Sequence, residues 1–225
     1  MFIVITGSSK GIGRFLYKSL KKKATVIGIS RSHGKFTDLV CDISEKIEVK
    51  ETFKKIQKID VLINNASITN LHKNKLVNFE KTISVNLNGS FYCSYYALSK
   101  LKKSKIKKIV NISSINAHVG FPNNPGYVSS KGALNALTKS LAVDYGKYGI
   151  KANSLSLGYI SEGMSTNSYN NTLKRNKRSS NTILNRWGSP TDVLGAVNFL
   201  ISEQSNYITG SDIVIDGGWL AKGLK

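Results

Sequence analysis

Short apolar runs rich in Val and Ile alternate along this chain with longer stretches of helical spacing. The runs at 2–6, 25–29, 38–40, 61–63, 108–112, 151–156 and 212–215 have the length and β-branched content of strands. Between them, helices are predicted at about 11–22, 45–57, 76–102, 126–148 and 190–200. This alternation predicts an α/β fold: a doubly wound, Rossmann-type parallel sheet of about seven strands with helices on both faces. In the long third helix Phe79, Ile83, Leu87 and Phe91 recur every four residues and are expected to form its buried stripe. No repeat, low-complexity segment or Pro/Gly linker divides the chain, so residues 1–225 read as one domain. The stretch 159–186 breaks the pattern. It is rich in Ser, Asn, Lys and Arg with little periodicity, as expected of a lid or binding loop.

Composition adds little to the fold and more to the partners. With 225 residues and 40% hydrophobic content, the chain can bury one substantial core. The 33 Lys and Arg against 13 Asp and Glu give a formal charge of +20, which invites an acidic partner or else marks lysine-rich solvated faces. The clusters at 21–23, 102–108 and 174–178 lack interleaved aromatic residues, so nucleic acid is not an expected partner. Cys41 and Cys93 each sit in apolar surroundings without metal-ligand spacing and read as reduced core residues of a cytoplasmic protein. The first residues read as a strand rather than a secretion signal, and no apolar run approaches the ~20 residues of a membrane span.

Two motifs carry chemistry. The first strand runs into Thr6-Gly7-Ser8-Ser9-Lys10-Gly11-Ile12-Gly13 and then a helix. Gly7 permits a tight turn, Gly11 leaves room for a pyrophosphate against the backbone, and Gly13 lets helix and strand pack closely. The helix N-terminus offers free N–H groups and a positive dipole to phosphates. The second motif is Tyr127-Val128-Ser129-Ser130-Lys131. Positions i and i+4 share a helix face, so the phenol and the ammonium are neighbours. A nearby positive charge favours the phenolate and suits it to acid–base work. A strand ending in Asn111-Ile112-Ser113-Ser114 precedes this helix. Ligands of parallel sheets gather at the carboxyl ends of the strands, where both motifs lie.

Together with Asn64-Asn65-Ala66, Asn86, Gly158 and Asp216-Gly217-Gly218, these motifs make the chain similar, over nearly its whole length, to the short-chain dehydrogenase/reductase family. The resemblance implies that Tyr127 passes a proton to and from the substrate oxygen. Lys131 would lower the Tyr127 pKa and bind the nicotinamide ribose. Ser114, ahead of its neighbour Ser113, would hold the substrate oxygen, and Asn86 would hold a water linking Lys131 to solvent. The cofactor would run along Gly7, Ser9, Lys10, Gly11, Ile12 and Gly13, past Arg31, Asp42 and Ile43, along Asn64 and Ala66, and beside Gly158 and Ile160. From the residues alone, a structural role is the lesser alternative for Asn86, which could cap or kink its helix, and an even one for Asp42, which could be a helix N-cap. The chain departs from the family pattern at Ser67, Leu157 and Glu162, where Gly, Pro and Thr are usual.

After the second strand comes Ser30-Arg31-Ser32, with no carboxylate to bind a ribose 2′-hydroxyl. Arg31 and Lys10 could bracket a 2′-phosphate, so NADP(H) is the expected cofactor and NAD the lesser one. The reading is of an NADP-dependent oxidoreductase acting on a carbonyl or alcohol of a small molecule, a sugar or nucleotide-sugar intermediate among the candidates. A 3-oxoacyl-[acyl-carrier-protein] reductase and a non-catalytic dinucleotide-binding scaffold are the alternatives. His118, Val119 and Phe121 are expected in the pocket wall. Lys174, Arg175, Lys177 and Arg178 on the lid could meet a phosphate, a carboxylate or an acidic carrier. By the resemblance, the protein assembles as a homotetramer or homodimer through the 76–102 helix and the helix bearing Tyr127.

Overall fold

The computed structural model describes residues 1–69 and 75–222. Its centre is a seven-stranded parallel sheet in the order β3-β2-β1-β4-β5-β6-β7. The strands are β1 (Phe2–Thr6), β2 (Thr25–Ser30), β3 (Leu39–Val40), β4 (Val61–Asn64), β5 (Lys108–Ser114), β6 (Lys151–Leu157) and β7 (Asp212–Ile215). The middle strands are apolar on both sides because helices cover both faces. On one face α2 (Lys46–Lys54), α4 (Gly89–Leu101) and α5 (Pro125–Gly146) pack through Phe53, Cys93, Leu101, Leu141 and Tyr145. On the other, α1 (Gly11–Leu20) and α8 (Pro190–Ile201) pack through Leu16, Leu20, Val193, Val197 and Leu200. Burial of each such side chain contributes roughly 1.5–3 kcal/mol. Both cysteines are free and buried in the first of these cores, as the sequence suggested.

Strand order reverses between β1 and β4, whose carboxyl ends part there. Such a switch point opens the crevice in which sheets of this kind bind ligands. The polypeptide enters α8 through a capping box: Ser189 accepts from the Asp192 backbone, and the Asp192 carboxylate accepts from the Ser189 N–H at 2.6 Å. Arg186 forks onto the same carboxylate at 2.9 and 3.0 Å and holds it well below the usual carboxylate range.

Two expectations need correction. The third helix is not continuous. Described from Lys75, α3 (Lys75–Ile83) gives way to a π-helical turn, Ser84–Asn88, before α4 begins. The buried face lies one residue off the expected stripe, before the turn as well as after it, so Phe79 and Phe91 are exposed and Ile83 and Leu87 only half-buried. The buried row is Asn78, Thr82, Val85, Asn86, Gly89, Ser90, Cys93 and Ala97. It is small and polar because α4 lies very close to the chain below: a Cβ on Gly89 would meet Ile43 Cδ1 at 2.7 Å. The stretch 159–186, expected to be irregular, contains a 3₁₀ turn (Gly163–Ser165) and two short helices, α6 (Thr166–Asn170) and α7 (Thr172–Ser179). Rings rather than aliphatic periodicity hold them. The Arg178 guanidinium lies 4.5 Å from the Tyr159 ring centroid and 5.8 Å from that of Trp187, and Arg175 lies 5.6 Å from Tyr169.

Candidate active site

The glycine turn crosses the carboxyl end of β1. Gly7 has φ +70° and Gly11 φ +53°, a region that favours glycine. A Cβ on Gly13 would meet the Gly7 carbonyl at 2.1 Å, so helix and strand could not pack with any other residue there. The turn is locked to β4 by two residues that the sequence reading did not single out. Thr6 Oγ1 accepts from the backbone N–H of Asn65 and Ala66, and Asn65 Nδ2 donates to the carbonyls of Thr6 and Gly7, all within 3.1 Å. Their signal was available: Thr6 opens the glycine motif, and Asn65 stands inside Asn64-Asn65-Ala66.

Lys10, the residue before α1, gives no side-chain cap, and the first turn carries no acidic residue. The helix therefore presents its leading N–H groups and positive end without a protein counter-charge. That cradle suits a pyrophosphate. A Cβ on Gly11 would meet Gly163 Cα at 2.7 Å, so the start of the 159–186 segment lies directly across the turn. Glu162, one of the departures from the family pattern, stands 4.0 Å from Arg14 there. The Ser67 hydroxyl, another departure, is buried without a hydrogen-bond partner in the segment after β4.

At the end of β2, Arg31 and Lys10 are both exposed. The Ser9 backbone N–H donates to Ser30 Oγ at 3.0 Å, which ties the turn to that strand. The nearest carboxylate downstream, Asp38, is exposed and engaged: it accepts from the Gly28 N–H at 2.7 Å and the Tyr17 hydroxyl at 3.2 Å. No acid within 30–34 competes for a ribose.

Tyr127, Lys131 and Ser114 converge where β5 ends and α5 begins. Pro125 starts α5 and sets Tyr127 in its first turn, with Lys131 one turn along on the same side. Lys131 Nζ donates to the Ile112 carbonyl at 2.8 Å and lies 5.5 Å from the Tyr127 ring centroid. Burial pulls the Lys131 ammonium down to about 7. Burial also pushes the Tyr127 phenol up, and a hydrogen bond with the Ser114 side chain opposes that rise. The expectation that Lys131 brings the phenol down does not hold in the protein alone: the hydrophobic surroundings disfavour both charges, and the lysine is held by a backbone carbonyl. Ser113, the lesser candidate, turns its hydroxyl toward the Lys131 carbonyl at 3.5 Å, away from the phenol.

Asn86 lies at the middle of the π-helical turn with its side chain fully engaged. Its Oδ1 accepts from the Ile68 N–H at 2.8 Å, and its Nδ2 donates to the Ile68 carbonyl and Ser130 Oγ, each at 3.0 Å. It clamps the segment after β4 to α5 beside Lys131. Other expected contacts face inward. Asn64 is buried, its amide donating to Asn111 Oδ1 at 2.8 Å and Ser94 Oγ at 3.0 Å, so its side chain braces the core instead of lining the crevice. Ile43 and Ile160 are likewise core side chains and can face a ligand only through backbone. Asp42 is not the N-cap of α2, which is Glu45; its Oδ1 accepts from the Ser44 N–H at 3.0 Å and hydroxyl at 2.7 Å. Ala66 lies against Gly7, and Gly158 lies against Asp216, where a Cβ would come within 2.7 Å of Cα. The His118 ring reaches β7, where its Nε2 donates to the Asp212 carboxylate at 2.8 Å. In the segment 159–186, the Arg175 and Arg178 guanidinium groups lie over the Tyr169 and Tyr159 rings, at 5.6 and 4.5 Å from their centroids. Among the described residues no group of His, Cys, Asp and Glu could hold a metal, and no helix is long and apolar enough to cross a membrane.

Residues 14–220 match the family model described as Enoyl-(Acyl carrier protein) reductase. A protein of Rickettsia conorii named 3-oxoacyl-[acyl-carrier-protein] reductase FabG is 34% identical over 237 residues, covering 96% of this chain and 95% of the relative. An L-rhamnose 1-dehydrogenase (NADP(+)) of Thermoplasma acidophilum is 32% identical over 241 residues, again covering 96% and 95%. Among solved structures, 4-hydroxyisoleucine dehydrogenase complexed with NADH superposes with a TM-score of 0.89 at 34% identity and 98% coverage of both chains. Fold, motifs and relatives agree: this chain is an enzyme that belongs to the short-chain dehydrogenase/reductase family.

Proposed function

We propose that the protein is an NADP(H)-dependent oxidoreductase that interconverts a carbonyl and an alcohol on a small molecule. The observation that carries this reading is the convergence of Ser114, Tyr127 and Lys131 at the end of β5, in the same sheet whose β1 end bears the uncapped glycine turn. The bound nicotinamide would supply or accept the hydride. The protein's part is binding, orientation and movement of one proton. The α1 N-terminus and the Gly7, Gly11 and Gly13 backbone hold the pyrophosphate. Arg31 and Lys10 hold the 2′-phosphate, and Asp42 meets the adenine. Ser114 donates to the substrate carbonyl oxygen and fixes it against Tyr127. In reduction, the Tyr127 hydroxyl gives its proton to the oxygen as the carbon becomes tetrahedral, and it takes the proton back in oxidation. Lys131, whose ammonium burial pulls well down from its usual range, replenishes that proton and steadies the phenolate. One relative is named for NADP(+) and another is complexed with NADH, so the preference for NADP(H) rests on Arg31, Lys10 and the engagement of Asp38 with the Gly28 N–H.

A carrier-linked 3-oxoacyl substrate is the second reading, favoured by the relative from Rickettsia conorii and by the lid cations Lys174 and Lys177. A sugar substrate is favoured by the L-rhamnose dehydrogenase. Turnover of acetoacetyl-coenzyme A against turnover of aldoses with NADP⁺ separates the two. The first test of the reading itself is a fluorescence titration with NADPH and NADH, monitoring Trp187 and Trp219. Tight NADPH and weak NADH binding is the expected outcome. Tyr127→Phe then lowers kcat by about 10²–10⁴-fold and leaves NADPH affinity unchanged. A wild type that binds NADPH but turns over neither class of substrate would favour the scaffold reading, and a Tyr127→Phe variant as active as the wild type would remove Tyr127 from the proton role.

A further inference from the structure

A polar cluster outside the reaction centre joins the loop after β5 to the sheet edge. Asp212, the first residue of β7, accepts four hydrogen bonds: from Ser154 Oγ at 2.6 Å, Ser156 Oγ at 2.7 Å, His118 Nε2 at 2.8 Å and Asn135 Nδ2 at 3.1 Å. The donors come from β6, α5 and the loop that follows Ser114. Ser, His and Asp in contact invite a nucleophile–base–acid reading, but the geometry does not support it. The same imidazole nitrogen, Nε2, faces both Ser156 and Asp212, whereas a relay needs the two partners on opposite ring nitrogens. Ser156 is also fully buried, beyond reach of a substrate.

The cluster instead fixes a loop. Ser114 and Tyr127 stand on different elements, and between them the only regular structure is the 3₁₀ turn Ile115–Ala117. Ser114 Oγ caps that turn by accepting from the Asn116 N–H at 3.2 Å, and the His118 N–H closes it on the Ile115 carbonyl at 2.9 Å. The His118 ring then ties the turn to β6 and β7. A chain of contacts thus runs from Asp212 through His118 and the turn to the Ser114 hydroxyl, and from there to the Tyr127 phenol. We propose that His118 and Asp212 are a positioning pair that sets Ser114 against Tyr127, an inference that rests on the oxidoreductase reading above. His118 touches neither substrate nor cofactor; it acts through the turn. The required feature is a hydrogen-bond donor of about imidazole reach, which glutamine supplies and alanine does not.

The experiment compares wild type, His118→Ala and His118→Gln in NADPH oxidation with a fixed carbonyl panel: acetoacetyl-coenzyme A, ethyl acetoacetate and phenanthrenequinone. NADPH affinity is measured by fluorescence, and kcat is corrected for folded fraction. His118→Ala is expected to lose about tenfold in kcat, since a misplacement of under an ångström at the reacting centre has effects of that order. NADPH affinity stays within about twofold of wild type, and His118→Gln recovers most of the rate. A His118→Ala enzyme with wild-type kcat, or a His118→Gln enzyme as impaired as His118→Ala, overturns the positioning role alone. A wild type that binds NADPH yet neither reduces anything in the panel nor oxidises aldoses with NADP⁺ sinks the oxidoreductase reading and the positioning role with it.

Discussion

At the scale of single residues, charge and burial oppose each other at the reaction centre. Tyr127 and Lys131 both sit where a charge is disfavoured, and the shifts run in opposite directions, up for the phenol and down to about 7 for the ammonium. Such an environment keeps the proton within the pair until substrate oxygen, Ser114 and cofactor complete the set of partners. Arg31 belongs to the same scale. It is exposed, and Asp38 is turned away from it toward Gly28. Arg31→Asp should therefore weaken NADPH binding by about tenfold or more, the order of one lost charge-assisted phosphate contact, and leave NADH binding unchanged or tighter. Paired fluorescence titrations read this directly, and equal losses for both nucleotides would count against a 2′-phosphate role.

At the scale of elements, β5 carries chemistry at one end and strain at the other. Ser114 closes its carboxyl end, and Lys108 opens it, 1% exposed, with Nζ donating to Ser205 Oγ at 2.9 Å. Burial, with a smaller push from the Lys151 charge, pulls the Lys108 ammonium down from 10.5 to about 8. A lysine lowered on folding favours the native state most when it is neutral. Its contribution is therefore full above pH 10.5 and is lost as pH falls to about 8. Stability should rise across that window by up to roughly 3 kcal/mol from this residue. Lys131 adds the same sign over a wider range, so the difference between wild type and Lys108→Met isolates the effect. The variant should unfold at higher denaturant near pH 7 and show a flatter rise toward pH 10. Denaturant midpoints measured at several pH values check both.

At the scale of the whole molecule, apolar side chains remain on the helices of one face. Phe91 and Tyr95 on α4 and Val143 on α5 are 40%, 56% and 79% exposed, and the rings of Phe91, Tyr92, Tyr95 and Tyr96 stack along α4. Exposed apolar side chains grouped on a few helices are a feature that interfaces use. A homodimer or homotetramer through α4 and α5 is expected, and Phe91→Lys combined with Tyr95→Lys should shift sedimentation to the monomer. A wild-type monomer in sedimentation would contradict it. The lysine clusters take no part in that surface; Lys102 stands 3.6 Å from the Tyr148 ring centroid, so at that position a cation does meet an aromatic ring, through folding rather than through neighbouring sequence.

The chain's own order of residues was enough for the seven strands, the parallel α/β architecture and the two motifs at the strand ends. Those features are local: β-branched runs, glycines in a turn, and a tyrosine and lysine four apart on one helix all act over a few residues. Tertiary structure decided what depends on distant partners. The stripe from Phe79 to Phe91 that spacing alone had placed in the core lies one residue off the buried row that starts at Asn78 and Thr82. Asn64 and Ile160 proved to face inward because packing, not motif, sets side-chain direction. Arg175 and Arg178 looked like ligands for an anion until Tyr159, Tyr169 and Trp187 came to lie beneath them. His118 found Asp212 across 94 positions of sequence. No periodicity encodes such a contact: it exists only once the sheet has set β6 and β7 side by side under the loop that follows Ser114.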